Sequence, residues 1–340
     1  MHAKDISPPD LPRPVSRVVG VALAIAGRKI AFIYTESGWR DHLMSGHAHF
    51  PAALMRHLAR RGYAICFLPY GRRPYLRRIN KHCLHIYLGP GRGHRGQGIL
   101  TLHPAYVSGY WYLDPMGHRE RSSIVCAQYD QSAIEAEPAN ALFGHVRRAS
   151  VKGGWTTREQ PEAVDTDLPE GAIVIALQRF LQGKLPKGAI CSEIEMIRAV
   201  AAARGRRPVL IKYHPFGVNP DTKTAVEKLC RDHPDVTLVD VNIHDLLKAA
   251  SVVCCFSSGV GFEAMLHRVP TLLFATADYH HAAFRVPHLE AVPDILKLAA
   301  ATRINFPKYV YWLMTQNLFH AQQVDLESRL DSVLGTAGDT

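Results

Sequence analysis

Val209-Leu210-Ile211-Lys212-Tyr213-His214-Pro215 and, forty residues beyond its histidine, Cys254-Cys255-Phe256-Ser257-Ser258-Gly259-Val260-Gly261-Phe262-Glu263 are the stretches of this 340-residue chain that decide its fold. Each opens as a short apolar run and closes on polar, turn-forming residues, the pattern of a buried parallel strand whose carboxyl end meets a loop. The sequence around them alternates regularly. Val209 to Tyr213 reads as a strand, Thr222 to Cys230 as a helix, Val236 to Val239 as a strand and Ile243 to Ala250 as a short helix. Val252 to Phe256 is then a strand, Val260 to Leu266 a helix and Thr271 to Phe274 another strand. This rhythm implies a doubly wound, Rossmann-like domain, in which ligands sit at the carboxyl ends of the strands. His214 and Ser257 both fall at such ends. An imidazole there donates to a phosphate oxygen, and paired hydroxyls beside a glycine at a helix start add donors and the positive end of the helix dipole.

Upstream, Ala172 to Leu177 is a strand, and Ser192 with Glu195 gives a capping-box start to a helix running through Ala203. Between Ala149 and Gly171 the chain turns polar, with Gly153, Gly154, Pro161 and Pro169 and no apolar periodicity. Ahead of that break, Ile30 to Tyr34 is a strand, Phe50 to Arg61 a helix, Tyr63 to Leu68 a strand and His85 to Leu88 a short strand. The expectation is an α/β protein of two facing Rossmann-like domains, each a parallel sheet with helices on both faces. A proline-rich lead at 1–16 precedes an N-terminal domain at 17–150, and a linker at 151–170 leads to a C-terminal domain at 171–305. The aromatic segment Phe306 to Gln323 opens a C-terminal helix and tail at 306–340, expected to pack back across the domains, with insertion at a membrane interface as the alternative.

The formal charge of +10 favours anionic partners. No Asp or Glu occurs between Asp41 and Asp114, where ten Lys or Arg residues fall, so the N-terminal half reads as a cationic surface, either a solvated face or an anion site. The basic run Arg72 to Lys81 suggests a helix. The loop Gly89 to Gly98 is rich in glycine and arginine but matches neither a P-loop nor GxGxxG. Seven cysteines form no CxxC pair, and most lie in apolar runs, which suggests buried thiols in a reducing cytoplasm; Cys254 and Cys255 read as core. The apolar run from Val18 to Ala26 is far short of the roughly 20 residues of a membrane span and leads into the first strand, so any membrane contact is expected to be peripheral. His47-Ala48-His49 and His280-His281 lack the spacing of a zinc site, and no metal or cofactor is expected. No nucleic-acid-binding signature accompanies the charge.

With these motifs in hand, the chain resembles the bacterial capsule polysaccharide biosynthesis family, which includes capsular Kdo transferases. The resemblance lies in Val209 to Pro215, in Ile243-His244-Asp245-Leu246-Leu247, in Ser257 to Ala264 and in Pro270-Thr271-Leu272-Leu273-Phe274, and more weakly in Tyr106 to Asp114 and Ile173 to Gln178. A histidine-proline motif followed by a double serine is also similar to what bacterial sialyltransferases use to hold CMP on the two-domain GT-B fold. The chain departs from the family pattern after Gln178, where Arg179-Phe180-Leu181-Gln182-Gly183 carries no acid.

The resemblance implies a metal-independent glycosyltransferase that takes a nucleotide-sugar, CMP-Kdo in kind, as co-substrate and acts on an anionic glycan or lipid-linked acceptor. It implies that His214, with Pro215 beside it, contacts the donor phosphate, that Ser257, Ser258 and Gly259 complete the cradle, and that Glu263 accepts from ribose hydroxyls. Asp278-Tyr279 is expected to close over the donor sugar. For the base that activates the acceptor, Asp114 is the first candidate because it ends the aromatic Tyr106 to Leu113 motif, and Glu36 the second because it follows the first strand; Asp41 and Asp130 are further carboxylates expected at the cleft. The alternative is a non-catalytic capsule assembly or export factor that retains the fold and engages the export machinery at the cytoplasmic face of the inner membrane.

Overall fold

The computed structural model describes residues 11–46, 48–70, 82–89, 95–152, 167–180 and 184–338. In chain order the elements are α1 Arg17–Ile25, β1 Ile30–Thr35, α2 Ser37–Met44, α3 His49–Arg60, β2 Ala64–Pro69, β3 Cys83–Leu88, β4 Ile99–Pro104 and β5 Tyr110–Asp114. Next come α4 Ala136–Arg147, β6 Ala172–Ala176, α5 Glu193–Ala202, β7 Val209–Lys212, α6 Pro220–Asp232, β8 Val236–Leu238, α7 Ile243–Ala249 and β9 Ala250–Cys255. The chain closes with α8 Gly259–Leu266, β10 Thr271–Leu273, β11 Phe284–Arg285, α9 Val292–Ala301, α10 Phe306–Tyr311, β12 Phe319–His320 and α11 Leu326–Gly338. The run Arg72 to Lys81 and residues 90–94 of the basic glycine loop lie outside the described residues.

Two compact α/β units result, each on a six-stranded sheet. The first holds the residues up to Ser123 together with those from Met314, and the second runs from Ile124 to Leu313. The sheet of the second unit has the order β11-β10-β9-β6-β7-β8 and is parallel throughout. Alternate residues of β6 feed opposite cores: Ile173 and Ile175 pack with Ile211, Cys254 and Phe274, whereas Ala172 and Val174 pack with Leu210, Val253 and Leu246. Both faces are therefore covered, which is why the strands read as continuous apolar runs and not as alternation. Cys254 and Cys255 are wholly buried, and burial pushes both thiols up, Cys255 to about 11, as befits packing groups.

The first unit has the order β12-β5-β4-β3-β1-β2. Strands β2, β1, β3 and β4 are parallel, but β5 runs antiparallel to β4, and β12 antiparallel to β5. β12 is supplied by the C-terminal segment, whose α11 is tied to α3 by Arg60 with Glu327 at 2.6 Å, by Arg61 with Asp331 and by His57 Nε2 with Asp331 at 2.9 Å. Part of the cationic surplus expected on this half is thus neutralised within the unit.

The expected boundaries at 150 and 306 do not coincide with this division. Residues 124–152 side with the second unit because its later segments hold them. His280 and His281 each have Nε2 bonded to a carbonyl of this stretch, Val125 at 3.1 Å and Ala127 at 2.8 Å, and Arg147 Nε donates to Leu266 O at 2.9 Å. Tyr129 joins the aromatic cluster of Tyr309, Trp312 and His281. Phe306, Tyr309, Val310, Trp312 and Leu313 are buried in the second unit, so these apolar groups of the aromatic segment are core and unavailable to a membrane interface. Among the described residues no helix is long and apolar enough to cross a membrane.

Candidate functional site

From β6 the second sheet grows in two directions, to β7 and β8 on one side and to β9, β10 and β11 on the other. The crossover loops therefore diverge between β6 and β9, and a crevice opens outside the carboxyl ends there, the usual place for a ligand in such a sheet. Three chain segments reach it: Gln178 beyond β6, His214 beyond β7 and Ser257 beyond β9. His214 and Ser257 are two strand spacings apart, about 10 Å, with Gln178 between them.

Ser257-Ser258-Gly259 turns β9 into α8. The Ser258 side chain is the N-cap, accepting from Val260 N at 3.3 Å. Ser257 N donates to Gln178 Oε1 at 2.8 Å across the crevice. The Ser257 hydroxyl and the Gly259 amide have no partner among the described residues, so they are the donors that remain for a ligand at the positive end of α8. Of the expected cradle groups, the Ser258 hydroxyl is already engaged by the protein as the N-cap.

The second glycine of the motif has a different role. A Cβ on Gly261 would lie 2.4 Å from Tyr279 Oη and 2.8 Å from its ring carbons. Tyr279 is wholly buried under α8 and donates its hydroxyl to Ser258 O, which pins the turn from below. Tyr279 and the equally buried Asp278 are thus part of the interior, and the expectation that they close over a ligand is corrected. Glu263, in the second turn of α8, is buried as well.

His214-Pro215-Phe216-Gly217 is a turn closed by Gly217 N to His214 O at 2.8 Å, with Pro215 presetting the backbone and Gly217 at φ 84°. Phe216 N donates to His214 Nδ1 at 3.1 Å. That bond makes Nδ1 an acceptor and leaves the proton of the neutral ring on Nε2, which becomes a donor. Lys212, buried at the end of β7, adds an ammonium 3.5 Å from Asp240.

Sequence reasoning missed Glu193. This first residue of α5 is buried, and its Oε1 accepts from Gln178 N at 3.2 Å while Thr222 donates to its carboxylate. Burial pushes its carboxyl up, and those two hydrogen bonds oppose the rise. Glu193, Gln178 and Ser257 thereby form one chain of contacts across the floor of the crevice. Glu193 lies 15 residues beyond Gln178 in the sequence. The only visible signal was its place one residue after a capping serine.

In the first unit the parallel strands diverge between β1 and β3, and Glu36, exposed at the N-cap of α2, follows β1 at that switch. Asp114 differs from expectation. β5 is antiparallel, with Asp114 opposite Thr101, so its last residue points away from the carboxyl edge of its neighbours. Its carboxylate accepts from Met116 N at 2.7 Å, Gly117 N at 3.0 Å, Ser123 N at 2.9 Å and Ser123 Oγ at 2.6 Å. Burial raises its pKa and these four bonds oppose the rise. They leave it the geometry of a loop anchor. Asp130 caps the turn at Gln131–Ala133 and belongs to the second unit. Among the described residues no group of three or more His, Cys, Asp or Glu is placed to hold a metal ion, and His280 and His281 hold backbone carbonyls.

Residues 183–284 match the family model of the capsule polysaccharide biosynthesis protein. The resemblance read from the sequence is borne out. The matched span contains the His214 turn, the Ser257 turn and Glu193. Among solved structures, the Thermosulfurimonas dismutans KpsC beta Kdo 2,7 transferase has the same fold at 11% identity, covering 91% of this chain and 99% of that one with a TM-score of 0.52. The beta Kdo 2,4 transferase of the same KpsC aligns at 12% identity over 80% of this chain and 90% of that one, with a TM-score of 0.46. No curated protein matches the chain in sequence.

Proposed function

We propose that this protein is a glycosyltransferase of capsule or surface polysaccharide synthesis, holding a nucleotide-activated sugar at the switch point of its second unit. The observation that carries the reading is the pair of donors left unused there among the described residues, the Ser257 hydroxyl and the Gly259 amide at the start of α8, with the imidazole of His214 at the strand end across β6. Negative charge grows on the leaving phosphate as a glycosyl bond breaks, and one preorganised donor there is worth on the order of 3 kcal/mol. The match to the capsule family over this segment and the fold shared with a Kdo transferase support a Kdo-like sugar on CMP. Glu36, exposed at the switch of the first unit, is the carboxylate we assign to accept the proton of the acceptor hydroxyl. The acceptor is an anionic glycan or lipid-linked chain, and a cytoplasmic protein peripheral to the membrane suits it.

Calorimetric titration with CMP, UDP and GDP, on the protein and on His214→Ala, tests this. Micromolar binding of one nucleotide, lost in the variant, is the expected result. Absence of binding by all three removes the donor site and turns the reading to an assembly or export factor on the same fold.

A further inference from the structure

Helix α1 is apolar on every side. Between Arg17 and Arg28 the run Val18-Val19-Gly20-Val21-Ala22-Leu23-Ala24-Ile25-Ala26-Gly27 holds no polar side chain, a composition that belongs to a helix covered all round. The sheet covers one side only. Gly20 and Ala24 are buried, and Val21 and Leu23 pack half-buried against the core of Ile30, Phe32 and Cys66. The contact is close, since a Cβ on Gly20 would lie 3.0 Å from Cys66 Sγ and 3.1 Å from Ile30 Cδ1. The opposite side faces outward. Val18, Ala22 and Ile25, spaced i, i+4 and i+7 along one stripe, are exposed, Val18 by 79% and Ile25 by 65%, and Val19 borders them at 46%.

Cations stand at both ends of this stripe. Arg13 and Arg17 precede it, Arg28 and Lys29 follow it, and no Asp or Glu lies between Asp10 and Glu36. Arg13, Arg17 and Lys29 are exposed, and among the described residues none of the three is in an ion pair. Lys29 Nζ donates to Arg61 O at 3.4 Å and stands 5.4 Å from the centroid of the Tyr63 ring, contacts that place the ammonium without neutralising it. The lead into the helix is fixed by the Ser16 N-cap and by Val15 N to Ile65 O at 2.8 Å. This placement of charge selects what covers the stripe. A second copy of the chain paired through it would set cation against cation whichever way the two helices ran, and like charges repel. An anionic surface satisfies the apolar stripe and both of its cationic ends together.

We propose that α1 docks on the surface of an anionic phospholipid bilayer, with Val18, Ala22 and Ile25 sunk below the headgroups and Arg13, Arg17 and Lys29 at the level of the lipid phosphates. Nine residues bury little apolar area, and surface charge is screened by salt, so the docking draws on both. It stands on the first unit alone and does not rest on the nucleotide site of the second.

The test is co-sedimentation of the full chain, in physiological salt, with vesicles of phosphatidylcholine alone and of equal parts phosphatidylcholine and phosphatidylglycerol. Saturable binding to the mixed vesicles and little to the neutral ones is expected. A chain of net charge +10 also adsorbs to anionic lipid by charge, so the deciding comparison keeps every charge. Val18→Gln with Ile25→Gln puts a good helix former at two exposed positions and is expected to lower partitioning at least about tenfold at an unchanged thermal midpoint. Arg13→Gln with Arg17→Gln is expected to lower it about fivefold for each charge removed. No binding to the mixed vesicles, equal binding to both kinds, or undiminished binding by the Val18 and Ile25 double variant overturns the proposal. So does a dimer of the parent in equilibrium sedimentation that the same double variant dissociates, because a second copy then covers the stripe. Nucleotide binding is expected to be the same in the parent and in both double variants, so this proposal and the donor-site reading fail separately.

Discussion

Gly261→Ala is expected to destabilise the second unit by about 2 to 4 kcal/mol, through Tyr279 and not through any ligand. The added Cβ meets the Tyr279 hydroxyl at 2.4 Å and its ring carbons at 2.8 Å, closer than real Cβ contacts come. Tyr279 is wholly buried, so its ring cannot swing into solvent. Overpacking of this kind costs about 1 to 3 kcal/mol, and a displaced ring also forfeits its hydrogen bond to Ser258 O, about 1 kcal/mol more. Urea unfolding of Gly261→Ala, Tyr279→Ala and the double variant measures both terms as a cycle. The reasoning requires strong coupling: once Tyr279 is alanine, the change at Gly261 adds less than about 0.5 kcal/mol, the scatter of independent sites. If Gly261→Ala is as stable as the parent, or if the two changes simply add, the glycine is not there for Tyr279.

Asp114→Asn sets an amide against the four donors that the carboxylate now satisfies and is expected to cost about 2 to 3 kcal/mol in denaturant, with nucleotide binding by the second unit unchanged. A fall in turnover without loss of stability would instead restore it as a base. Gln178→Ala frees the buried Ser257 amide and is expected to lower stability by about 1 to 3 kcal/mol and to loosen the Ser257 turn, read as weaker binding of the nucleotide that the parent takes; unchanged affinity would show that the turn holds without it. Acid should destabilise the fold early. His118, held to about 2, and His267, held to about 4, are neutral in the folded protein at neutral pH, whereas in the unfolded chain each protonates near 6.5. The unfolded state therefore binds more protons, and stability is full above about pH 7 and falls through 6.5, by about 2 kcal/mol per histidine on reaching pH 5. In His118→Phe, which keeps a ring on His103, about half of that loss should vanish; an unchanged pH profile of thermal stability contradicts the assignment.

Most of the second unit was legible because its strands are buried on both faces and its helices carry their own end signals. Ser192 with Glu195 forms the capping box that its spacing foretold, and the apolar runs of β6, β7, β9 and β10 appear where continuous burial predicts strands. His214 and Ser257 were found for the same reason: in a doubly wound sheet, strand order along the chain already places carboxyl ends on one edge. Local rules also foresaw that Cys254 and Cys255 are buried.

Tertiary pairing decided the rest. Nothing local distinguishes an antiparallel β5 from a parallel one, yet that single reversal carries Asp114 away from the carboxyl edge and makes it the anchor of a loop. Gln178 and Glu193 became a pair only when α5 folded back over the end of β6, and Gly261 acquired its meaning only when Tyr279, 18 residues later, was buried against it. The same holds for the units themselves: residues 124–152 belong to the second because His280, His281 and Tyr309 reach back to them, and 314–340 to the first because β12 pairs with β5. The sequence by itself determined which segments are strands and helices and which residues stand at their ends, since propensity, burial pattern and capping act within a few residues. Which ends share an edge, and which polar groups are spent on the fold and which remain for a ligand, was decided by contacts between residues far apart in the chain, whose energies no local window contains.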